Sequence, residues 1–389
     1  MKKLAIITTH PIQYYAPVFR LLANSCDLKV FYTLGKSSSY DLGFKQDITW
    51  DIPLLDGYSY QFLTNTSKKA GSHYFGGIIN PTLLAEIEKF TPDAILVYGW
   101  SYKSHLKAIR YFSGKIPLWF RGDSNLLDEQ PGLKKYLRYV FLKWIYKHID
   151  KAFYVGKANK MYYKAFGLKE KQLVFAPHAI DNNRFSENRT IEAKQLRDSL
   201  GLKNNEYLIV FAGKLEPKKD PEILLNAFIE LNKTNVHLLF VGNGILEESL
   251  KLNVERDPSL TLGMTNRVHF MNFQNQSQMP VMYQACDLFC LPSKGPGETW
   301  GLAVNEAMAA GKAVLVSDRV GCATDLIKDG INGATFEAGN LTSLLEKLTN
   351  LLEKPQQLEE MGKQSANLIK NWTIAKQAQS INNELHAAN

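Results

Sequence analysis

The chain has 389 residues, of which 45% are hydrophobic and 22% charged, and its formal net charge is +8. This length predicts two domains, and the composition excludes a disordered chain. No apolar run approaches the roughly 20 residues that span a bilayer, and the four cysteines have neither metal-ligand nor disulfide spacing, so we expect a cytoplasmic protein.

The first part of the chain alternates short apolar runs with longer stretches of helical periodicity. The apolar runs predict strands at Leu4–Thr8, Leu28–Tyr32, Ala94–Tyr98, Pro117–Phe120, Ala152–Val155 and Leu173–Phe175. Between Leu133 and Ile145, apolar residues recur at spacings of three and four, which predicts an amphipathic helix. This alternation favours parallel sheets covered by helices.

Positive charge is concentrated between Gly132 and Phe175, where eleven Lys or Arg residues face two acidic ones. Such a patch is typical of proteins that bind nucleic acid or an anionic membrane surface. The aromatic part of this segment could therefore dock on anionic lipid. However, Lys134 and Arg138 share one side of the helix and Lys143 lies on the other. A solvated helix rim is the alternative.

A polar, turn-rich stretch from Pro177 to Asn183 predicts a linker, after which the alternation of strands and helices resumes. Further strands are predicted at Tyr207–Ala212, His237–Val241, Val268–Met271, Asp287–Leu291 and Ala313–Ser317, and helices at Pro221–Leu231 and Leu302–Ala310. We expect two doubly wound α/β domains, residues 1–180 and 181–371, with a ligand cleft between them at the carboxyl ends of the strands. Residues 372–389 predict a final amphipathic helix.

The most informative loop follows the predicted strand that ends at Leu291. A Gly/Pro-rich segment leads into a helix near Gly301, and the start of a helix attracts phosphate groups. Glu298 lies in the loop and Glu306 about a turn and a half into the helix, where a carboxylate can accept hydrogen bonds from two vicinal hydroxyls. The alternative is an ordinary βα turn with solvated glutamates.

A second loop, Gly213 to Pro221, follows the first strand of the second domain. Lys214 and Lys219 lie in it, at the strand end where anions bind in this architecture. Their charges could neutralise a pyrophosphate leaving group. The alternative is a loop of solvated lysines.

Together these loops resemble the signature of the family 4 retaining glycosyltransferases (glycosyl transferases group 1), which have the GT-B fold. Glu298 and Glu306, with seven residues between them, match the family's Glu-x7-Glu motif. The loop from Gly213 to Lys219 resembles its Gly-Arg-Leu…Lys segment, with lysine in place of arginine. Further matches follow in family order at Val241–Gly244, Tyr283–Asp287 and Ser317–Gly333.

The resemblance implies two Rossmann-like domains facing a central cleft: an N-terminal acceptor-side domain, a C-terminal donor domain, and a final helix that crosses back to the first domain. It implies that Glu306 holds the donor ribose and that Glu298 contacts the donor sugar. The implied diphosphate site comprises Gly213, Lys214, Lys219 and the backbone amides near Trp300, Gly301 and Leu302.

The acceptor side is less similar to the family. The loop after the first strand, Thr9 to Pro17, lacks the glycines that family members often carry, and it contains His10. Where many members place a histidine, this chain has Arg121-Gly122-Asp123. We predict that His10 lines the active site, with a turn-capping role as the alternative, and that Arg121 or Asp123 serves the acceptor.

The sequence contains no Asp-x-Asp motif, which fits a metal-independent enzyme that needs no cofactor beyond its UDP- or GDP-linked donor. The expected reaction moves a sugar to an acceptor hydroxyl with retention, in surface polysaccharide or glycolipid synthesis. The expected partners are this donor, a carbohydrate or lipid-linked oligosaccharide acceptor and the inner membrane face, but no nucleic acid. The alternatives are a sugar-nucleotide epimerase of the same fold and a non-catalytic, basic nucleotide- or nucleic-acid-binding protein.

Overall fold

The computed structural model of the protein describes residues 1–35, 40–41, 46–129, 132–256 and 265–387. The chain divides into two compact units. Unit 1 comprises Met1–Ser38, Ile52–Ala179 and Thr373–Asn389, and unit 2 comprises Ser39–Asp51 and Ile180–Trp372.

In these described ranges the strands are β1 (Lys3–Thr8), β2 (Asp27–Tyr32), β3 (Tyr40–Asp41), β4 (Gln46–Asp47), β5 (Ser59–Phe62), β6 (Ala94–Tyr98), β7 (Leu118–Arg121), β8 (Lys151–Tyr154), β9 (Leu173–Phe175), β10 (Tyr207–Ala212), β11 (Val236–Val241), β12 (Val268–Met271), β13 (Leu288–Leu291), β14 (Ala313–Ser317) and β15 (Gly333–Phe336). The α-helices are α1 (Ala16–Ala23), α2 (Leu83–Phe90), α3 (Lys103–Phe112), α4 (Leu133–Tyr146), α5 (Lys157–Ala165), α6 (Asn182–Ser186), α7 (Thr190–Ser199), α8 (Pro221–Leu231), α9 (Glu247–Arg256), α10 (Met279–Ala285), α11 (Leu302–Ala309), α12 (Ala323–Leu326), α13 (Leu341–Leu352), α14 (Pro355–Ile369) and α15 (Ile374–Ala387).

Unit 1 is built on a parallel sheet whose described strands follow the order β5-β2-β1-β6-β7-β8-β9. The central strand β1 is apolar on both faces because helices cover both sides of a parallel sheet. Its residues alternate between two core layers: Ala5 and Ile7 face one layer, and Leu4 and Ile6 face the other. All four side chains are fully buried.

The final helix, α15, belongs to unit 1. Ala378, Ile381 and Leu385 lie at spacings of three and four on one helix face. They join the core layer that also contains Leu4 and Val18. The last helix therefore closes one side of the first sheet.

Unit 2 is built on a second parallel sheet, with the order β12-β11-β10-β13-β14-β15 among the residues that the structure describes. The first two strands of this sheet in the chain, β10 and β11, lie side by side, and β13 pairs with the other edge of β10. The chain thus winds outward in both directions from the β10–β13 pair. Two doubly wound α/β units are present, and the predicted fold class is confirmed.

Helix α4 confirms the predicted amphipathic helix. Much of its apolar stripe is exposed: Leu133 and Leu137 are 74% and 60% exposed. The helix is anchored instead by Leu142, Ile145 and Tyr146, on the opposite face of its second half. Of these three, Ile145 is the last residue of the predicted periodic set, whereas Leu142 and Tyr146 lie outside it, so the periodicity did not identify the buried face.

No helix among the described residues is both long enough and apolar enough to cross a membrane.

Candidate functional site

The two predicted donor loops leave the sheet of unit 2 at the point where its strand order reverses. The loop from Gly213 to Asp220 follows β10, and the loop from Pro292 to Gly301 follows β13. Because the crossovers after these neighbouring strands run in opposite directions, a crevice forms at their carboxyl ends, where ligands bind in open α/β sheets. Residues about 80 positions apart in the sequence therefore share one site.

A buried ion pair joins the two loops. Lys219, from the loop after β10, contacts Oε2 of Glu298, from the loop after β13. The Oγ of Ser293 donates a hydrogen bond of 2.9 Å to the same oxygen. The glutamate side chain is 8% exposed and that of the lysine 16%. The structure therefore brings together two of the sequence-predicted site residues.

The charge of Glu298 follows from these contacts. Burial raises the pKa of this carboxyl group, but the adjacent Lys219 ammonium and the hydrogen bonds from Lys219 and Ser293 lower it. The net result is a pKa below the ordinary value of the group. Glu298 is thus a carboxylate at neutral pH and can only accept hydrogen bonds.

A second set of contacts fixes the same two loops. The ammonium of Lys294 lies 2.8 Å from Oδ1 of Asp220, which is buried. The backbone N–H groups of Lys294 and Gly295 both point to the carbonyl oxygen of Lys218, at 2.9 and 3.2 Å. Main-chain and side-chain bonds therefore hold the loop after β10 and the loop after β13 in one arrangement.

The loop after β11 supports the loop after β10 from the other side. The N–H of Leu215 donates to the carbonyl of Asn243 at 3.0 Å. A Cβ on Gly242 would lie 2.1 Å from the carbonyl oxygen of Gly213, and one on Gly244 would lie 2.2 Å from that of Leu215. Only glycine permits this approach of two backbones, which gives the Val241–Gly244 motif a structural reason.

Helix α11 starts beside these loops. Gly301 precedes it with a φ of +95°, and a Cβ there would meet Val320 at 2.8 Å. The indole N–H of Trp300 donates a hydrogen bond to Oδ1 of Asn305 at 2.9 Å, which fixes the Trp300 side chain against the first turn of the helix. From Leu302 on, the first turn presents backbone N–H groups that the helix itself does not bond, and these attract anions.

Glu306 lies further along α11 and is 4% exposed. Its Oε2 accepts a hydrogen bond of 2.8 Å from the hydroxyl of Tyr283, on α10. The tyrosine is fully buried. Lys214 lies in the same loop as Lys219 and is partly buried. The two predicted glutamates are therefore oriented by different partners.

The predicted acceptor-side residues lie in unit 1. His10 follows β1, and its Nδ1 lies 2.9 Å from the hydroxyl of Thr9. Asp123 follows β7. Burial is the main cause that raises the pKa of Tyr15, and the electrostatic effect of Asp123 is the second. Both residues lie at the carboxyl edge of one sheet, after the two strands that flank β6.

Arg121, the other acceptor candidate, is 2% exposed and has a structural role. Its guanidinium donates hydrogen bonds to the carbonyl oxygens of Ala176 and Pro177, at 2.8 and 3.2 Å. It therefore anchors the chain just before the predicted linker. An isolated arginine in a strand gave no sequence signal for this.

The residues that position the predicted site residues were not predicted from the sequence. Tyr283 occurred in a recognised motif but received no role, and Ser293, Lys294 and Asp220 received none either. A buried carboxylate requires hydrogen-bond donors, so such partners were to be expected. Their identity depends on loop contacts across the sheet, which no sequence pattern shows.

Comparisons with known proteins show which chains this one resembles. The family profile described as glycosyl transferases group 1 matches residues 192–368. A D-inositol 3-phosphate glycosyltransferase of Segniliparus rotundus is 32% identical over 173 residues, which are 43% of this chain and 37% of that protein. An uncharacterized glycosyltransferase of Methanocaldococcus jannaschii is 31% identical over 170 residues, 43% of this chain and 42% of its own. The similarity thus spans less than half the length of these relatives.

Solved structures match over the whole chain. HepE of Anabaena, in complex with UDP and glucose, has a TM-score of 0.74 at 19% identity, with 100% of both chains covered. Sucrose-phosphate synthase of Thermosynechococcus elongatus has a TM-score of 0.74 at 17% identity, also over 100% of both. Residues 192–368 thus resemble the glycosyl transferases group 1 family, and the two parallel sheets match the fold of these solved structures, the GT-B fold.

Proposed function

We propose that the protein is a retaining, metal-independent glycosyltransferase that moves a sugar from a nucleotide-diphosphate donor to an acceptor hydroxyl. The observation that supports this most is the buried Lys219–Glu298 pair at the reversal of strand order in unit 2. It combines a cation suited to a phosphate with a carboxylate suited to sugar hydroxyls, next to the start of α11.

The donor would be held at three points. Glu306, oriented by Tyr283, would accept hydrogen bonds from the two ribose hydroxyls. Lys214, Lys219 and the amides of the first turn of α11 would hold the diphosphate. Glu298 would bind hydroxyls of the donor sugar. Lysine ammonium groups carry three donors each, so Lys219 can contact Glu298 and a phosphate oxygen together.

The proposed transfer needs no covalent intermediate. The bond between the anomeric carbon and the diphosphate oxygen breaks, and the acceptor oxygen bonds to that carbon on the same face. The acceptor proton passes to the departing diphosphate, whose developing charge the lysines stabilise. Configuration is retained because leaving group and acceptor use one face. A trapped glycosyl-enzyme adduct would contradict this route.

We propose UDP or GDP as the nucleotide, and the UDP-bound HepE structure makes UDP the first to test. The acceptor would be a carbohydrate or a lipid-linked oligosaccharide in surface polysaccharide or glycolipid synthesis. We further propose that the protein is cytoplasmic and contacts the inner membrane face through its basic segment. His10 and Asp123 are the proposed acceptor-side residues.

The test is a thermal-shift titration with UDP, GDP, ADP and their sugars. A ligand that binds only the folded protein raises its melting temperature by mass action. We expect a shift with one nucleotide that Glu306→Gln greatly reduces. Glu346→Gln on α13, an exposed glutamate outside the site, is the matched control and should keep the shift.

Release of nucleotide separates the proposal from its alternatives. A glycosyltransferase releases nucleotide faster when the correct acceptor is added. An epimerase would convert the donor sugar without an acceptor, and a non-catalytic protein would show the thermal shift with no release at all. Either result would overturn the proposed function.

A further inference from the structure

The first nine residues of helix α4, in unit 1, are all exposed. Every residue from 132 to 141 is exposed, and burial begins only at Leu142. Leu142, Ile145 and Tyr146 hold the second half of the helix on the core of the unit. Arg138 and Tyr139 also contact their own unit, through Tyr162 and Phe166. The rest of the first half is left uncovered by the residues that the structure describes.

The exposed part carries a large apolar stripe. The stripe consists of Leu133, Tyr136, Leu137, Val140 and Phe141, which are 74%, 64%, 60%, 49% and 41% exposed. At 3.6 residues per turn these positions share one face, opposite the anchoring residues. A contiguous exposed apolar patch on a folded domain marks an interaction site.

Aromatic rings extend the stripe at its C-terminal end. Phe141 stacks on Trp144 with ring centroids 5.8 Å apart. Trp100, just beyond the end of β6, lies edge-on to Phe141 at 5.6 Å. Large rings with one polar edge are favoured at the boundary between water and lipid headgroups.

Lysines lie on both sides of this stripe. Lys134 and Lys143 are about half a helix circumference apart, and the stripe runs between them. The sequence from Gly132 to Ile149 contains no acidic residue. Lysines on opposite sides of the helix do not form a single basic face, but they border its apolar face. A helix that lies in the plane of an anionic membrane has this pattern, because lysine side chains reach up to the headgroups while the apolar face sinks between them.

The charge also decides against a second copy of the chain as the occupant. Two α4 helices packed stripe to stripe would bring two sets of lysines together, and like charges across an interface are unfavourable. An acidic lipid surface, by contrast, supplies apolar and anionic groups at the same boundary.

We propose that α4 is the membrane-docking element of this protein and lies flat on an anionic lipid surface. The stripe enters the boundary between headgroups and acyl chains, and Lys134 and Lys143 contact headgroup phosphates. This inference rests on the peripheral membrane contact included in the proposed function and assigns that contact to one helix.

The test is flotation of the full chain with vesicles of phosphatidylcholine, alone or mixed with phosphatidylglycerol. We expect the protein to float with the mixed vesicles and much less with phosphatidylcholine alone. The double variant Leu137→Ser/Val140→Ser should lose most of this binding. Lys134→Glu/Lys143→Glu should weaken binding to the mixed vesicles at least about tenfold, since each lysine near such a surface contributes about 1 kcal/mol.

The matched control lies on α7 of unit 2. Ile191→Ser/Lys194→Glu removes one exposed apolar side chain, 73% exposed, and reverses one exposed charge, and it should float like the wild type. All substituted positions are exposed, so each variant should keep the wild-type melting temperature and nucleotide-induced shift, which are measured alongside.

Each outcome has a defined meaning. If the wild type does not float, both the docking helix and the proposed membrane contact are wrong, while donor binding stands on its own titration. If the α4 variants float like the wild type, another surface binds lipid and the inference is overturned. Self-association that Leu137→Ser/Val140→Ser abolishes, without flotation, would show that a second copy covers the stripe and would likewise overturn it.

Discussion

The hydroxyl of Tyr283 donates a 2.8 Å hydrogen bond to Oε2 of Glu306, and both side chains are buried. The two residues come from neighbouring helices, α10 and α11, so the bond fixes the direction of the carboxylate on α11. A buried carboxylate without a donor is costly. The tyrosine therefore positions the residue that we assign to the donor ribose.

Tyr283→Phe removes only this hydroxyl and should weaken nucleotide binding about tenfold. It should also lower the free energy of unfolding by about 1–3 kcal/mol, because a buried acceptor loses a hydrogen-bond donor. Titration by thermal shift and urea unfolding measure the two effects. Tyr136→Phe, at an exposed position of α4, is the control. Unchanged nucleotide affinity in Tyr283→Phe would contradict a positioning role.

Lys219→Met should lower the free energy of unfolding at pH 7 by about 3–5 kcal/mol, because it leaves Glu298 as a buried, uncompensated charge. Lys219 holds the pKa of Glu298 down, so the pair stabilises the fold above the ordinary pKa of a glutamate and loses its effect as the pH falls. The difference between variant and wild type should therefore shrink toward pH 4. Urea unfolding at several pH values measures it.

A second substitution separates stability from binding at this pair. Lys219→Met/Glu298→Gln should recover much of the lost stability, since no charge stays buried, but it should not recover nucleotide binding. A double variant no more stable than Lys219→Met would mean that the ion pair is not the source of the loss.

Unit 1 should lose stability between pH 7 and pH 5. Burial lowers the pKa of His105 to about 4 and that of His178 to about 3, whereas an unfolded histidine titrates near 6.5. The unfolded chain therefore binds more protons below pH 6.5, and stability falls with pH, by about 2 kcal/mol for each such histidine at pH 5. Urea unfolding at the two pH values tests this.

His105→Asn is the informative variant. The asparagine amide can still donate to the carbonyl of Gly99, which lies 2.9 Å from Nδ1 of His105. It does not titrate, so the loss of stability between pH 7 and pH 5 should be about 2 kcal/mol smaller than in the wild type. His73→Asn, at an exposed position, should leave the pH dependence unchanged.

Gly301→Ala should impair nucleotide binding and destabilise unit 2. The positive φ costs an alanine about 1–2 kcal/mol, and its Cβ would also meet Val320 at 2.8 Å. Gly297 is the matched control, because it has a φ of +92° in the same loop but nothing within 4 Å of the added Cβ. If both alanine variants behave alike in unfolding and titration, the close approach at Gly301 has no role.

Much of the fold could be predicted from the sequence because the central strands are long apolar runs. Leu4–Thr8 was predicted and Lys3–Thr8 is observed, and the helix predicted at Leu302–Ala310 is observed at Leu302–Ala309. The edge strand β5 was missed because half of its residues are exposed and its pattern is not apolar. Strand β15 was also missed, because it is short and begins with a glycine.

The site could be predicted as a set of residues but not as a set of contacts. Family-like spacing identified Lys219 and Glu298 separately, one for phosphate and one for sugar. Their ion pair depends on which strands are neighbours, and the β10–β13 pairing joins segments that are far apart in the chain. Likewise, periodicity identified α4 but could not tell which of its two apolar faces is buried.

The position of α15 has a consequence for how the protein folds during synthesis. Its buried residues, Ile381 and Leu385 among them, complete a core layer that otherwise consists of residues from the first half of the chain. The ribosome makes all of unit 2 before this helix. Unit 2 can therefore finish folding first, whereas unit 1 keeps part of an apolar sheet face open until α15 has left the ribosome.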